Sequence, residues 1–127
     1  MQALWVKALA LQDARGQRAV IVTSDMEGLP KAMSDTIRGR IKERLGLEKS
    51  QILLNTSHTH SGPVLDDYLL CLYPMDEACL QRTKTYSRRL EDHVVETVER
   101  AFRALVPVHL SAANGVTRFA VNRRTNK

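Results

Sequence analysis

Asn55-Thr56-Ser57-His58-Thr59-His60-Ser61-Gly62-Pro63 holds two of the four histidines of this 127-residue chain, two residues apart, directly after a short apolar run. In an extended backbone residues i and i+2 share a side, so His58 and His60 can offer both imidazoles to one point. Neutral imidazole is a good ligand for Zn²⁺, and a catalytic zinc takes three protein ligands while leaving a position for water. The spacing therefore predicts a metal site, set against the plainer reading that an isolated HxH is a surface pair. Asp25, which follows another apolar run in Val22-Thr23-Ser24-Asp25, is the acidic candidate. It would ligate the metal or hold an imidazole N–H, or else act as a turn or capping carboxylate.

These residues need a scaffold, and the apolar pattern supplies one. Leu4–Leu11 and Ala19–Thr23 flank the turn residues Asp13-Ala14-Arg15-Gly16, which predicts a β-hairpin. The second run is almost continuously apolar, as expected of a strand covered on both faces. Met33, Ile37, Ile41 and Leu45 recur at steps of four between Pro30 and Gly46, marking an amphipathic helix over residues 31–45. Ile52-Leu53-Leu54 then reads as a short buried strand, completing a βαβ unit with parallel strands. A second helix is expected from Asp76 to about Leu105, capped by Asp76 and stopped before Pro107, with a break near Thr83–Ser87. Val108–Ala113 and Val116–Val121 flank Asn114-Gly115, a signal for a terminal hairpin or one bulged strand. The predicted class is α/β: a mixed sheet with a βαβ unit, flanking amphipathic helices and that terminal element, in a single domain over residues 1–127. In open α/β sheets the site lies at the carboxyl ends of the parallel strands, which should bring Asp25, His58 and His60 to one edge.

Composition narrows the function classes. The net charge of +5 comes from 19 Lys and Arg against 14 Asp and Glu, interleaved along most of the chain. With only six aromatic residues for stacking, two Phe, three Tyr and one Trp, nucleic acid is not an expected partner. Cys71 and Cys79 lack the spacing of a zinc ribbon or disulfide framework, so free thiols are expected. No apolar run is long enough for a transmembrane segment, and taken alone the chain reads as cytoplasmic. His93 on the second helix and His109 on the expected terminal strand read as non-ligands. No phosphate-binding glycine loop or GxSxG elbow is present.

Three motifs in order, Val22-Thr23-Ser24-Asp25 with Gly28, Ser57-His58-Thr59-His60-Ser61-Gly62-Pro63 and Val121-Asn122-Arg123-Arg124, give the chain its resemblance to a known family. It resembles the N-terminal catalytic region of neutral/alkaline, non-lysosomal ceramidases and their bacterial relatives, over nearly its whole length. The resemblance implies a zinc-dependent hydrolase of a lipid or small-molecule amide. It assigns His58 to the metal, His60 to a position beside the substrate amide and Arg123 to the active-site arginine. It also implies a secreted or periplasmic parent protein. After Pro63 the family often continues with glycines, whereas here Val64-Leu65-Asp66-Asp67 follow, so a reshaped groove is expected. The family's remaining zinc ligands, a histidine, a glutamate and a tyrosine, lie downstream of its Asn-Arg motif. The chain is accordingly expected to be a fragment of a larger catalytic domain, completed by its remainder or by oligomerisation, with weak zinc binding and little turnover by itself. The competing reading is a non-catalytic α/β interaction module with a basic C-terminal tail.

Overall fold

The computed structural model describes residues 3–119 and residue 124. Strand β1 (Val6–Gln12) turns back through Asp13–Gln17 into β2 (Arg18–Ser24). The turn is built as its composition requires. The Asp13 Oδ1 accepts from the amides of Arg15 and Gln17 at 2.9 and 2.8 Å, and Gly16 takes a left-handed φ of 78°. Helix α1 (Lys31–Leu45) then crosses over to β3 (Ile52–Thr56), preceded by a 3₁₀ turn at Lys49–Gln51. The sheet order is β1-β2-β3, with β1 antiparallel and β3 parallel to β2. A second 3₁₀ turn, Leu70–Leu72, leads to the long helix α2 (Glu77–Arg103). This is the mixed α/β architecture expected from the pattern, with the βαβ unit in place.

The core lies between the sheet and both helices. Val20, Val22 and Ile52 of the sheet pack with Met33, Ile37 and Ile41 of α1 and with Leu90, Val94, Val95 and Val98 of α2. Leu47, Met26 and Leu65 close its ends. Helix α1 ends as its sequence predicts: Gly46 is left-handed, with φ 69°, and its N–H bonds the Lys42 carbonyl at 2.8 Å. Arg18 adds a second restraint, donating to the Leu45 carbonyl while its guanidinium lies 5.6 Å from the centre of the Phe102 ring.

Three expectations need correction. β2 is covered on one face only, because both helices lie on the same side; Leu9, Ile21 and Leu53 form a continuous row across the opposite face, with Leu9 and Leu53 more than half exposed. The apolar run in β2 therefore belongs to a two-layer arrangement, with Ile21 partly shielded by its neighbours in the row. Helix α2 runs unbroken through Thr83–Ser87. There Thr83 and Ser87 are buried, and Ser87 Oγ accepts the Asp66 amide at 2.8 Å, so tertiary contacts override the weak helix preference of the segment. Finally, residues 105–119 contain no strand. Val116 and Phe119 are 93% and 86% exposed, and a two-stranded hairpin with no sheet to lean on is marginal in water. His109 accordingly sits exposed outside any strand.

Asp76 caps α2, its Oδ1 accepting from the Cys79 amide at 2.7 Å. Asp76→Ala is expected to lower stability by about 1 kcal/mol, read as a shift in the urea midpoint.

Glu91, in the cleft between α1 and α2, has its pKa raised, chiefly by burial, with Arg40 acting in the opposite sense. An acid whose pKa rises on folding holds its proton more tightly in the native state. Its contribution is fully present below the unfolded pKa and is lost as pH rises through the folded one. Glu91→Gln should therefore flatten the stability profile across that window. Urea midpoints at acidic and neutral pH that move in parallel for variant and parent would disprove this.

Candidate functional site

The carboxyl ends of β2 and β3 lie side by side: Ser24 pairs with Thr56 in register, and the Ser57 amide donates to the Ser24 carbonyl at 3.0 Å. The two loops that carry the candidate residues therefore leave the sheet together. β3 ends at Thr56, and His58 lies beyond it with φ 58°, a left-handed backbone that costs a non-glycine residue about 1–2 kcal/mol. The approach of the two imidazoles is thus made by a strained turn, not by the alternation of an extended strand. Backbone outliers of this kind cluster where a side chain must be aimed.

The aim is specific. His58 Nδ1 lies 2.7 Å from the Glu27 carbonyl oxygen. A carbonyl only accepts, so Nδ1 carries the hydrogen and donates, and in the neutral ring Nε2 keeps its lone pair. That Nε2 is 3.4 Å from His60 Nε2, with the rings edge to face, centroids 4.9 Å apart and planes at 87°. Two nitrogens each ~2.05 Å from a tetrahedral zinc are separated by about 3.3 Å, so the pair stands at the spacing of two cis ligands. The Glu27 carbonyl also accepts from Thr56 Oγ1 at 3.3 Å, which ties the second loop to β3. A backbone carbonyl fixing the far nitrogen is the usual support of a metal-binding histidine. Side-chain type could not have revealed it, because the group belongs to the main chain. The donor chemistry and spacing thus fit a zinc ion as a partial site. Among the described residues, no group of three or more His, Cys, Asp or Glu is placed to hold one.

Asp25 shares the sheet edge, as expected, but its carboxylate is turned elsewhere. Oδ2 accepts from the Trp5 amide at 3.0 Å, and the Asp25 amide donates to the Trp5 carbonyl at 3.0 Å, extending the β1–β2 pairing past the strand ends. Its side chain makes no hydrogen bond to His58 or His60 among the described residues. Arg123 lies outside the described residues. His93 is exposed on α2 and lines a separate cleft with Trp5, Tyr86, Glu96 and Arg100. Cys71 and Cys79 are free thiols.

The loop after Pro63 has a distinct course. Leu65 is buried in the core, and Asp67 and Leu69 have positive φ. Tyr68 covers Gly28, where a Cβ would overlap its ring. A larger residue at position 28 would have to displace the Tyr68 side chain, and the segment after Pro63 packs into the fold through Leu65. Ser24 Oγ is buried at the strand exit with no hydrogen-bond partner among the described residues.

The fold and site together define a two-layer α/β protein carrying a His-Thr-His turn at the carboxyl edge of its parallel strands. Compared with known proteins, the chain is 27% identical over 124 residues to the neutral ceramidase of Pseudomonas aeruginosa. That match takes in 95% of this chain and 18% of the ceramidase, so the chain spans less than a fifth of its relative's length. The similarity is weak and partial. No family model matches the chain, and no solved structure does. No helix among the described residues is long and apolar enough to cross a membrane.

Proposed function

We propose that the chain forms part of the active site of a ceramidase-like, zinc-dependent hydrolase acting on a lipid or small-molecule amide. The observation that carries this reading is the His58–His60 pair, with Nε2 atoms 3.4 Å apart and the His58 tautomer set by the Glu27 carbonyl. His58 is the metal ligand. His60 stands beside the substrate amide, where its Nε2 can donate a hydrogen bond to the carbonyl oxygen as charge develops or pass a proton to the departing amine. A bound zinc would supply Lewis-acid polarisation of the amide carbonyl and of water.

Asp25 acts from behind the site, holding the β1 end against the loop edge, and the ceramidase resemblance assigns Arg123 as the active-site arginine. His58 alone is fewer than the three protein ligands of a catalytic zinc, so the site is completed by further groups. Equilibrium dialysis against zinc, followed by metal analysis, tests the reading. Zinc retained by the parent and lost when both histidines are replaced supports it. Equal retention by the parent and the double variant rejects it, as does a parent that takes up no zinc.

A further inference from the structure

The loop that carries the two histidines has another functional side. Ser57, Thr59 and Ser61 line a cavity of about 490 Å³ together with Asp25, Leu4, Trp5 and Ala3; the intervening histidines do not line it. Its chemistry is one-sided. Asp25 is the one charged residue among the described lining, with no lysine or arginine beside it. Oδ2 is occupied by the Trp5 amide, while Oδ1 has no hydrogen-bond partner among the described residues. An ionised carboxyl group has acceptor sites to spare after one such bond.

The Ser57 hydroxyl is likewise unpartnered among the described residues, and Thr59 Oγ1 accepts only the Ser61 amide, at 3.3 Å. Trp5, 59% exposed, and Leu4 make an apolar wall. A carboxylate, hydroxyl acceptors and an indole in one concavity form a set that attracts a cation carrying several N–H donors and an alkyl group, and repels an anion.

We infer that this cavity binds a primary alkylammonium group, with Asp25 Oδ1 and the Ser57 and Thr59 hydroxyls as acceptors and Leu4 and Trp5 against the alkyl chain. The site is separate from the imidazole pair and does not depend on zinc.

Trp5 is the only tryptophan in the chain and therefore reports on the cavity directly. With a chelator present, its emission is followed during titration with n-hexylammonium, 1-hexanol and hexanoate at neutral pH. The expected result is a saturable change with hexylammonium, at least about tenfold weaker binding of hexanol, and no response to hexanoate, since a charge-assisted hydrogen bond is worth roughly a factor of ten or more. Asp25→Asn, which keeps an acceptor for the Trp5 amide, should weaken hexylammonium about tenfold. Ser57→Ala, which breaks no side-chain hydrogen bond among the described residues, should weaken it several-fold. Equal binding of hexanol and hexylammonium, binding of hexanoate, or no saturable change would overturn the assignment. The comparison of ligands on the unaltered protein decides the matter even if the Asp25 variant fails to fold.

Discussion

His58→Ala is expected to weaken zinc binding by at least about tenfold, since loss even of the groups that merely orient a ligand costs ten- to a hundredfold. Competition with a chromophoric chelator would measure it. The expectation rests on one ring. His58 has its far nitrogen committed to the Glu27 carbonyl, so in the neutral ring Nε2 is the nitrogen with the free lone pair, held in place before any metal arrives. Deleting the imidazole removes the donor and its bond to the Glu27 carbonyl, while alanine keeps a Cβ on the left-handed backbone at residue 58. The His58 variant should therefore lose about 1 kcal/mol of stability, read as the urea midpoint without zinc, and stay folded while losing metal.

His60→Ala divides two roles. Retained zinc with impaired hydrolysis in the complete protein places His60 on the substrate side. A loss as severe as that of His58→Ala makes both histidines ligands, as their 3.4 Å spacing permits. Unchanged affinity in His58→Ala would end the metal reading.

Ile37→Ala should destabilise the fold by about 2–5 kcal/mol, a large share of the roughly 5–15 kcal/mol that holds a domain of this size together. Ile37 is 0% exposed and sits in the middle of α1, in the core shared with the sheet and α2. With one helical layer over one sheet face, little surrounding structure can collapse into the resulting void, which is what sets the cost of truncation. Chemical denaturation followed by far-ultraviolet circular dichroism gives the value. A loss below about 1 kcal/mol would mean that α1 is not packed as described. Ile37 shares no hydrogen bond and no packing cluster with the imidazoles, so zinc affinity measured well below the unfolding transition should not change, and the two expected results are independent.

The elements that position the site were legible where local chemistry and long-range packing agree. The four-residue spacing of Met33, Ile37 and Ile41, with Gly46 beyond, located α1 and its end, because a helix stop with positive φ is a backbone requirement that glycine meets without steric cost. Asp13 and Gly16 located the hairpin turn for the same kind of reason. The βαβ order then made β2 and β3 parallel and brought Ser24 and Ser57 to one edge.

Elsewhere local pattern and tertiary setting part company. The Asn114-Gly115 turn signal and its flanking runs, which suggested a terminal hairpin, have no described surface to bury their apolar side chains, and local propensity cannot supply one. The hydroxyl-rich stretch Thr83–Ser87 reads as a break until the buried Ser87 hydroxyl finds the Asp66 amide.

By itself, then, the sequence determined that two imidazoles stand at a strand exit beside Asp25, because strand order, residue spacing and turn chemistry are properties of the chain. Only the tertiary structure decided what those groups face. It gave His58 a left-handed backbone and the Glu27 carbonyl as its partner, and it turned Asp25 towards the Trp5 amide. The physical reason is that side-chain direction depends on hydrogen bonds between segments about 20 and 31 residues apart, and no local pattern records which distant main-chain group will be there to receive them.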